Sequence, residues 1–187
     1  MAVYTRTHMC GEMNESLVGT QVSLSAWVQK SRNLGSLIFV WLRDRSGVVQ
    51  VVFDQNHCSE DVVKLANKLR SEYVVNIKGT VCKRDESAVN ENLTTGKVEI
   101  FATELNIINE AQTPPIYIDD AAEESEALRL KYRYLDIRKP KIQNGLIFRH
   151  QVIRALREYI DEQGFVEVET PILTKSTPEG ARDYLVP

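Results

Sequence analysis

The chain has 187 residues, of which 43% are hydrophobic and 26% charged; that is enough for one large domain or two small ones, and it excludes a disordered tail or low-complexity linker. Its 23 basic and 26 acidic side chains leave a formal charge of −3, a balance that taken alone argues against a nucleic-acid partner. No apolar run comes near the ~18 residues a bilayer crossing needs; Leu37–Leu42, among the longest, has six.

The first 110 residues read as strands with one helix among them. Gln21–Gln29 alternates, with Val22, Leu24, Ala26 and Val28 on one face and Ser23, Ser25, Trp27 and Gln29 on the other. Leu37–Asp44 and Val48–Asp54 follow, joined by Arg45-Ser46-Gly47, a spacing that suits a hairpin. The period then changes. Over Glu60–Arg70 the residues Val62, Val63, Leu65, Ala66 and Leu69 fall on one helical face, with Ser59 placed as N-cap. Tyr73–Lys83 and Lys97–Ile108 are again strands, separated by a polar loop containing Asn90, Asn92 and Gly96. Three strands, a helix and two strands suit the five-stranded barrel that binds oligonucleotides and oligosaccharides; a small barrel with no such ligand fits the same pattern.

Alternation also says which side chains could meet a ligand. Ile38, Val40 and Leu42 form a face suited to a barrel interior, which turns Phe39, Trp41 and Arg43 outward. In the next strand Val49, Val51 and Phe53 look inward and Gln50 outward, beside Val48 and Val52; in the last, Glu99 shares a face with Phe101. Outward aromatics can stack bases, and an amide and a carboxylate can read base edges. The loop Gln29–Gly35 carries Lys30 and Arg32, suited to phosphates. Each residue could equally be ordinary surface packing, but together they favour single-stranded nucleic acid.

Beyond Ala111, Thr113-Pro114-Pro115 imposes an extended linker. Asp119–Glu126 packs five acids into eight residues, and Leu128–Lys141 answers with six bases and one acid. Such blocks suit either a solvated charged helix pair or a hinge that docks between domains or on a backbone. Leu146–Gln163 is the longest helix candidate: Phe148, Val152, Leu156, Tyr159 and Ile160 make an apolar stripe, and Gly164 is placed to stop it. Arg149 and His150 early and Asp161 and Glu162 late oppose the helix macrodipole, so a packing partner must hold the helix. Phe165–Glu169 alternates as a short strand that Pro171 ends, and Thr174–Tyr184 reads as a polar loop. The three cysteines (Cys10, Cys58, Cys82) and three histidines (His8, His57, His150) are scattered, without the spacing of a disulfide framework or a metal site. With no secretory signal in the first twenty residues, a reduced cytoplasmic protein is expected, and Asn14-Glu-Ser and Asn92-Leu-Thr carry no glycosylation meaning.

Five strings carry a resemblance: RTHMCGE (6–12), RNLGSLIFVWLRDRSGVVQVVFD (32–54), LRSEYVVNIKGTV (69–81), LRLKYRYLDIRKP (128–140) and GFVEVETPILTKSTPEGARDYLVP (164–187). The chain resembles the N-terminal part of the bacterial-type aspartyl-tRNA synthetases, a class II family. The barrel type is shared with the lysyl and asparaginyl enzymes, while TKSTPEGARDYLVP looks aspartyl-specific.

The resemblance implies an α+β chain. It would have an OB-fold anticodon-binding domain at 1–110, a hinge at 111–145, and the start of a class II catalytic domain at 146–187, with the helix and strand of its first motif. It further implies that Phe39 stacks on the central anticodon base of tRNA(Asp), and that Arg32, Gln50 and Glu99 read its neighbours. Pro171 would mark a homodimer interface, and Glu179 would pair with the substrate ammonium. ATP and Mg²⁺ would serve the whole enzyme, with no membrane or DNA partner. Two departures stand out. The family loop usually has more bases, and an Asp, where this chain has Lys30-Ser31-Arg32-Asn33. The second and third class II motifs, which supply the ATP-binding arginines, lie downstream in the family. The 187 residues alone are therefore expected to bind an anticodon without activating aspartate. The alternative is a stand-alone tRNA or single-strand-binding module.

Overall fold

The computed structural model describes residues 4–173 and 175. The chain divides into two compact units, Met1–Pro115 and Ile116–Pro187.

In the first unit five strands close into a barrel: β1 (Gln21–Asn33), β2 (Leu37–Asp44), β3 (Gly47–Asp54), β4 (Val74–Lys83) and β5 (Val98–Asn109), in the spatial order β1-β2-β3-β5-β4. All pairings are antiparallel except β3 with β5, a short parallel contact of Val51 with Ile100 and Val52 with Phe101. The helix α1 (Glu60–Ala66) lies between β3 and β4 in sequence. Its N-cap is Ser59, whose hydroxyl accepts from the Val62 amide. It ends four residues before the predicted Arg70, where the Asn67 side chain donates to the Val63 carbonyl and the following turn tightens.

The inward sets anticipated from alternation are the core. Val22, Leu24, Ala26, Val28, Ile38, Val40, Leu42, Val49, Val51 and Phe53 are all buried, joined by Val75, Ile77, Val81, Val98, Ile100 and Ala102 from β4 and β5. Close packing extends to the backbone. A Cβ on Gly79, at an irregularity of β4, would lie 2.4 Å from the Phe101 carbonyl oxygen, so only glycine lets the two strands approach there.

One expectation needs correction. Lys30 and Arg32 do not lie in a loop, because β1 continues to Asn33. Its register against β2 shifts between Val28 and Lys30. This bulge reverses the parity: Val28 faces inward opposite Leu42, while Lys30 and Arg32 lie opposite the outward Trp41 and Phe39.

The N-terminal segment seals the barrel through a polar clasp. The Asp44 carboxylate accepts from the Cys10 amide (2.7 Å), the Ser46 amide (2.8 Å) and the Ser46 hydroxyl (2.6 Å). Burial pushes the Asp44 pKa up, but the hydrogen bonds from Ser46 and Cys10 outweigh it and hold the carboxyl below its ordinary value. Burial also pushes the adjacent Cys10 thiol far up, so it stays protonated.

The second unit begins with the acidic block. Two short helices, α2 (Glu126–Lys131) and α3 (Arg133–Asp136), precede α4 (Pro140–Glu162). Asp136 is fully buried and paired with Arg129 at 2.9 Å and with Arg133; the Arg129 guanidinium beside it holds its carboxyl below the ordinary value. Lys139 pairs with Glu124 and donates to the Ala122 carbonyl, and both oxygens of Asp120 lie 3.1 Å from the Lys141 amide at the start of α4. The two charge blocks thus answer each other inside this unit.

Helix α4 begins six residues before the predicted Leu146, because Pro140 is preorganised for a first turn. Gly164, at φ +84°, ends it, with the Gly164 and Phe165 amides donating to Asp161 and Ile160. No residue of α4 is buried, and Phe148, Leu156 and Tyr159 are 60% exposed or more. Residues 165–169, expected as a strand, form none: among the described residues no strand pairs with them, and Glu167 instead meets Arg157 at 2.9 Å.

Asp44→Ala is expected to lower the unfolding free energy at pH 7 by about 1–3 kcal/mol, since two amide donors lose their acceptor. Because the native carboxyl pKa is depressed, its contribution is complete above the unfolded value of ~3.9 and is lost as pH falls through the native one. Urea titrations at pH 7 and pH 3 should therefore show the gap between variant and wild type narrowing in acid.

Candidate nucleic-acid interface

On the outer barrel face, strand register builds two rows. Arg32 lies opposite Phe39, Phe39 opposite Val52, and Val52 opposite Phe101. One step along, Lys30 lies opposite Trp41 and Trp41 opposite Gln50. Lys30, Arg32, Leu34, Phe39, Trp41 and Gln50 line a depression of ≈ 210 Å³. The outward alternation of β2 and β3 and the bulge of β1 together produce this assembly; neither would suffice alone.

The polar side chains in it are held. The Trp41 indole donates to Gln50 Oε1 (3.1 Å), and Gln50 Nε2 donates to Glu99 Oε2 (2.8 Å). Behind Glu99 stands Arg84, its side chain 4% exposed and its Nε 3.7 Å from the same carboxylate oxygen. Arg84 also donates to the carbonyls of Val98 and Ala88. Burial pushes the Arg84 guanidinium pKa down and Glu99 draws it back up. Trp41, Gln50, Glu99 and Arg84 thus form one connected chain across three strands and the end of β4.

Of the anticipated contacts, Arg32, Phe39 and Gln50 share the depression, and Glu99 adjoins it through Gln50. The Lys30 and Arg32 side chains make no hydrogen bond or ion pair among the described residues and remain available to an anion. Arg43 is not available: its guanidinium donates to both oxygens of Glu72 at 2.9 and 3.0 Å. Pro171 is exposed in an irregular stretch, and Glu179 lies outside the described residues. Among the described residues no group of three or more His, Cys, Asp or Glu could hold a metal ion. No helix among them is long and apolar enough to cross a membrane.

Sequence reasoning missed Arg84 and His57. Arg84 lies one residue past a strand end with no periodic signal. The only hint was the pairing of Cys82 with Glu99, which follows once β4 and β5 are read as neighbours. His57 sits in a short connection where alternation does not apply; its imidazole lies over Phe101.

An OB barrel carrying aromatic, amide and cationic side chains on its outer face is an architecture that nucleic-acid-binding modules use. Comparison with known proteins agrees: residues 22–108 match the OB-fold nucleic acid binding domain family, and residues 125–187 match the class II tRNA synthetases (D, K and N). Residues 125–187 are thus similar to that class II synthetase group, and the similarity of the whole chain is to the N-terminal part of aspartate–tRNA ligases. It is 55% identical over 182 residues to an aspartate–tRNA(Asp/Asn) ligase of Symbiobacterium thermophilum, covering 97% of this chain and 31% of that one. It is 56% identical over 182 residues to an aspartate–tRNA ligase of Listeria monocytogenes, with the same coverage. Among solved structures, the asparaginyl-tRNA synthetase of Pyrococcus horikoshii complexed with asparaginyl-adenylate matches with a TM-score of 0.80 and 33% identity, over 93% of this chain and 38% of that one. The chain thus spans about a third of the length of its curated relatives.

Arg84→Met leaves Glu99 without its buried counter-charge and two carbonyls without their donor. It is expected to cost roughly 2–4 kcal/mol of stability, read as a lowered urea midpoint at unchanged slope.

Proposed function

We propose that this chain is the anticodon-binding and opening catalytic portion of an aspartate–tRNA ligase, whose complete form activates L-aspartate with ATP and Mg²⁺ to aspartyl-adenylate and transfers it to tRNA(Asp). The observation that carries the reading is the depression on the barrel face, where two half-buried aromatics, a fixed amide and two cations converge. Phe39 stacks on the central anticodon base, Gln50 and Glu99 meet base edges, and Arg32 serves a neighbouring base with Lys30 beside it on the backbone. Residues 1–110 form the binding domain, 111–145 the hinge, and 146–187 the start of the catalytic domain. Glu179 pairs with the aspartate ammonium. The exposed stripe of α4 and the segment around Pro171 form a homodimer interface, which supplies the partner that a helix with no buried residue requires. The protein works in the cytoplasm.

Two measurements test this. In a titration with a tRNA(Asp) anticodon stem-loop, Phe39→Ala is expected to weaken binding by about tenfold, or ~1.4 kcal/mol, within the ~1–3 kcal/mol of one stacked base. Lys30→Ala and Arg32→Ala should each reduce the slope of log K against log salt by ~0.7. Equal affinity of wild type and Phe39→Ala would remove Phe39 from its role. In a pyrophosphate-exchange assay with aspartate and ATP, the 187-residue chain alone is expected to give no exchange; clear exchange would overturn the view that it binds without activating.

A further inference from the structure

We infer that His57, stacked on Phe101, forms a second base-stacking platform on the barrel face, serving the nucleotide next to the one on Phe39. The inference rests on the reading of this face as an RNA site and extends it to a residue outside the depression.

Phe101 lies in the same row as Phe39, with Val52 between them. Strands stand ~4.8 Å apart, so the two aromatic positions are separated by about 10 Å at the backbone, a gap that consecutive splayed nucleotides of a single strand can bridge. Val52 between them is only 2% exposed although it points outward, so side chains of this row and the turn after β3 close over it. Phe101 does not meet solvent alone. The turn after β3 brings His57 over it, ring centroids 4.4 Å apart and planes inclined at 33°. The ring that an incoming base would meet is therefore the imidazole, with the phenyl supporting it from behind.

The imidazole is oriented, not merely adjacent. Asp54 Oδ1 accepts from the His57 amide (2.8 Å) and lies 2.7 Å from Nδ1. The Asp54 side chain is 7% exposed while that of His57 is 46% exposed, so the buried carboxylate anchors the ring at its Nδ1 edge while about half of the side chain meets solvent. This arrangement solves an electrostatic problem as well. A bare carboxylate at Asp54 would repel an approaching phosphate; covered by the imidazole and hydrogen-bonded to it, the charge is turned away from the strand. A histidine placed only to cover Phe101 would need no such anchor.

The experiment is a titration of the anticodon stem-loop against wild type, Phe39→Ala, His57→Ala and His57→Phe, repeated with loops made abasic at the central anticodon position or at either flanking position. His57→Ala is expected to weaken the intact loop about fivefold or more, and His57→Phe to restore most of the loss, because a ring remains. The His57→Ala effect should vanish for one flanking abasic loop and persist for the central one. Thermal melts should show both His57 variants folded at the titration temperature, with at most a modest drop from the lost Asp54 contact. If Phe39→Ala weakens binding and His57→Ala does not, the second platform is overturned and the RNA face stands. If neither variant weakens binding, both fall. A loss on His57→Ala that Phe does not rescue, or that no abasic position removes, makes His57 a support of the loop and overturns the stacking role.

Discussion

Everything on the outer face depends on the closure of the barrel. Two residue pairs, Val51 with Ile100 and Val52 with Phe101, join β3 to β5 in parallel, and with them the sheet has no free edge. Closure fixes a single interior, filled by aliphatic side chains and Phe53, so the pleat forces every alternate side chain outward. It also sets who stands beside whom: Phe101 beside Val52, and Glu99 within reach of Gln50 although 49 residues separate them. Without the β3–β5 contact, the amide would have no carboxylate to hold it and the aromatic row would stop at Val52.

The legible part of the fold was the part where the two faces of a strand differ sharply. In β2, Ile38, Val40 and Leu42 alternate with Phe39, Trp41 and Arg43, and both sets went where alternation sends them. The second half of β1 was not legible. Gln29-Lys30-Ser31-Arg32 has no apolar set to mark an inner face, and the bulge reverses the parity that Val22 to Val28 establish. Continued without the bulge, that parity would have buried Lys30 and Arg32. The extra residue puts them opposite Trp41 and Phe39 instead, so a local irregularity creates the charge of the site. Cross-strand partners such as Arg84 and Glu99, or Arg43 and Glu72, carry no signal in a single strand's pattern. In the second unit the expected strand at 165–169 failed for a related reason: alternation marks a chain that could pair, and pairing needs a neighbour.

Charge also reads differently by place than by total. The sum of −3 is weighted by Asp119–Glu126, without which 23 bases would face 21 acids. Those acids do not belong to the barrel. Glu124 neutralises Lys139, and Asp120 accepts from the Lys141 amide in the first turn of α4, where a helix N-terminus favours negative charge. Within the barrel, Arg43 is spent on Glu72, which leaves Lys30 and Arg32 as the cations of the depression. Within the barrel unit those two and their immediate neighbours dominate the field at the depression, since charges more than ~10 Å away are screened at moderate salt.

A face proposed to receive a polyanion has to account for its own acids, and here each has a partner. Glu99 stands beside a guanidinium held at 4% exposure by two backbone carbonyls, so the negative charge comes with a positive one that the fold cannot withdraw. Asp54 sits under the ring and amide of His57. The same bonds impose a direction. Gln50 offers its oxygen to Trp41 and its nitrogen to Glu99, and reversing the amide would set donor against donor and acceptor against acceptor. One N–H and one lone pair are left for a ligand, in a fixed order. An amide that could turn would accept either edge of a base; one clamped at both ends discriminates between them, because the wrong edge leaves buried polar groups unpaired.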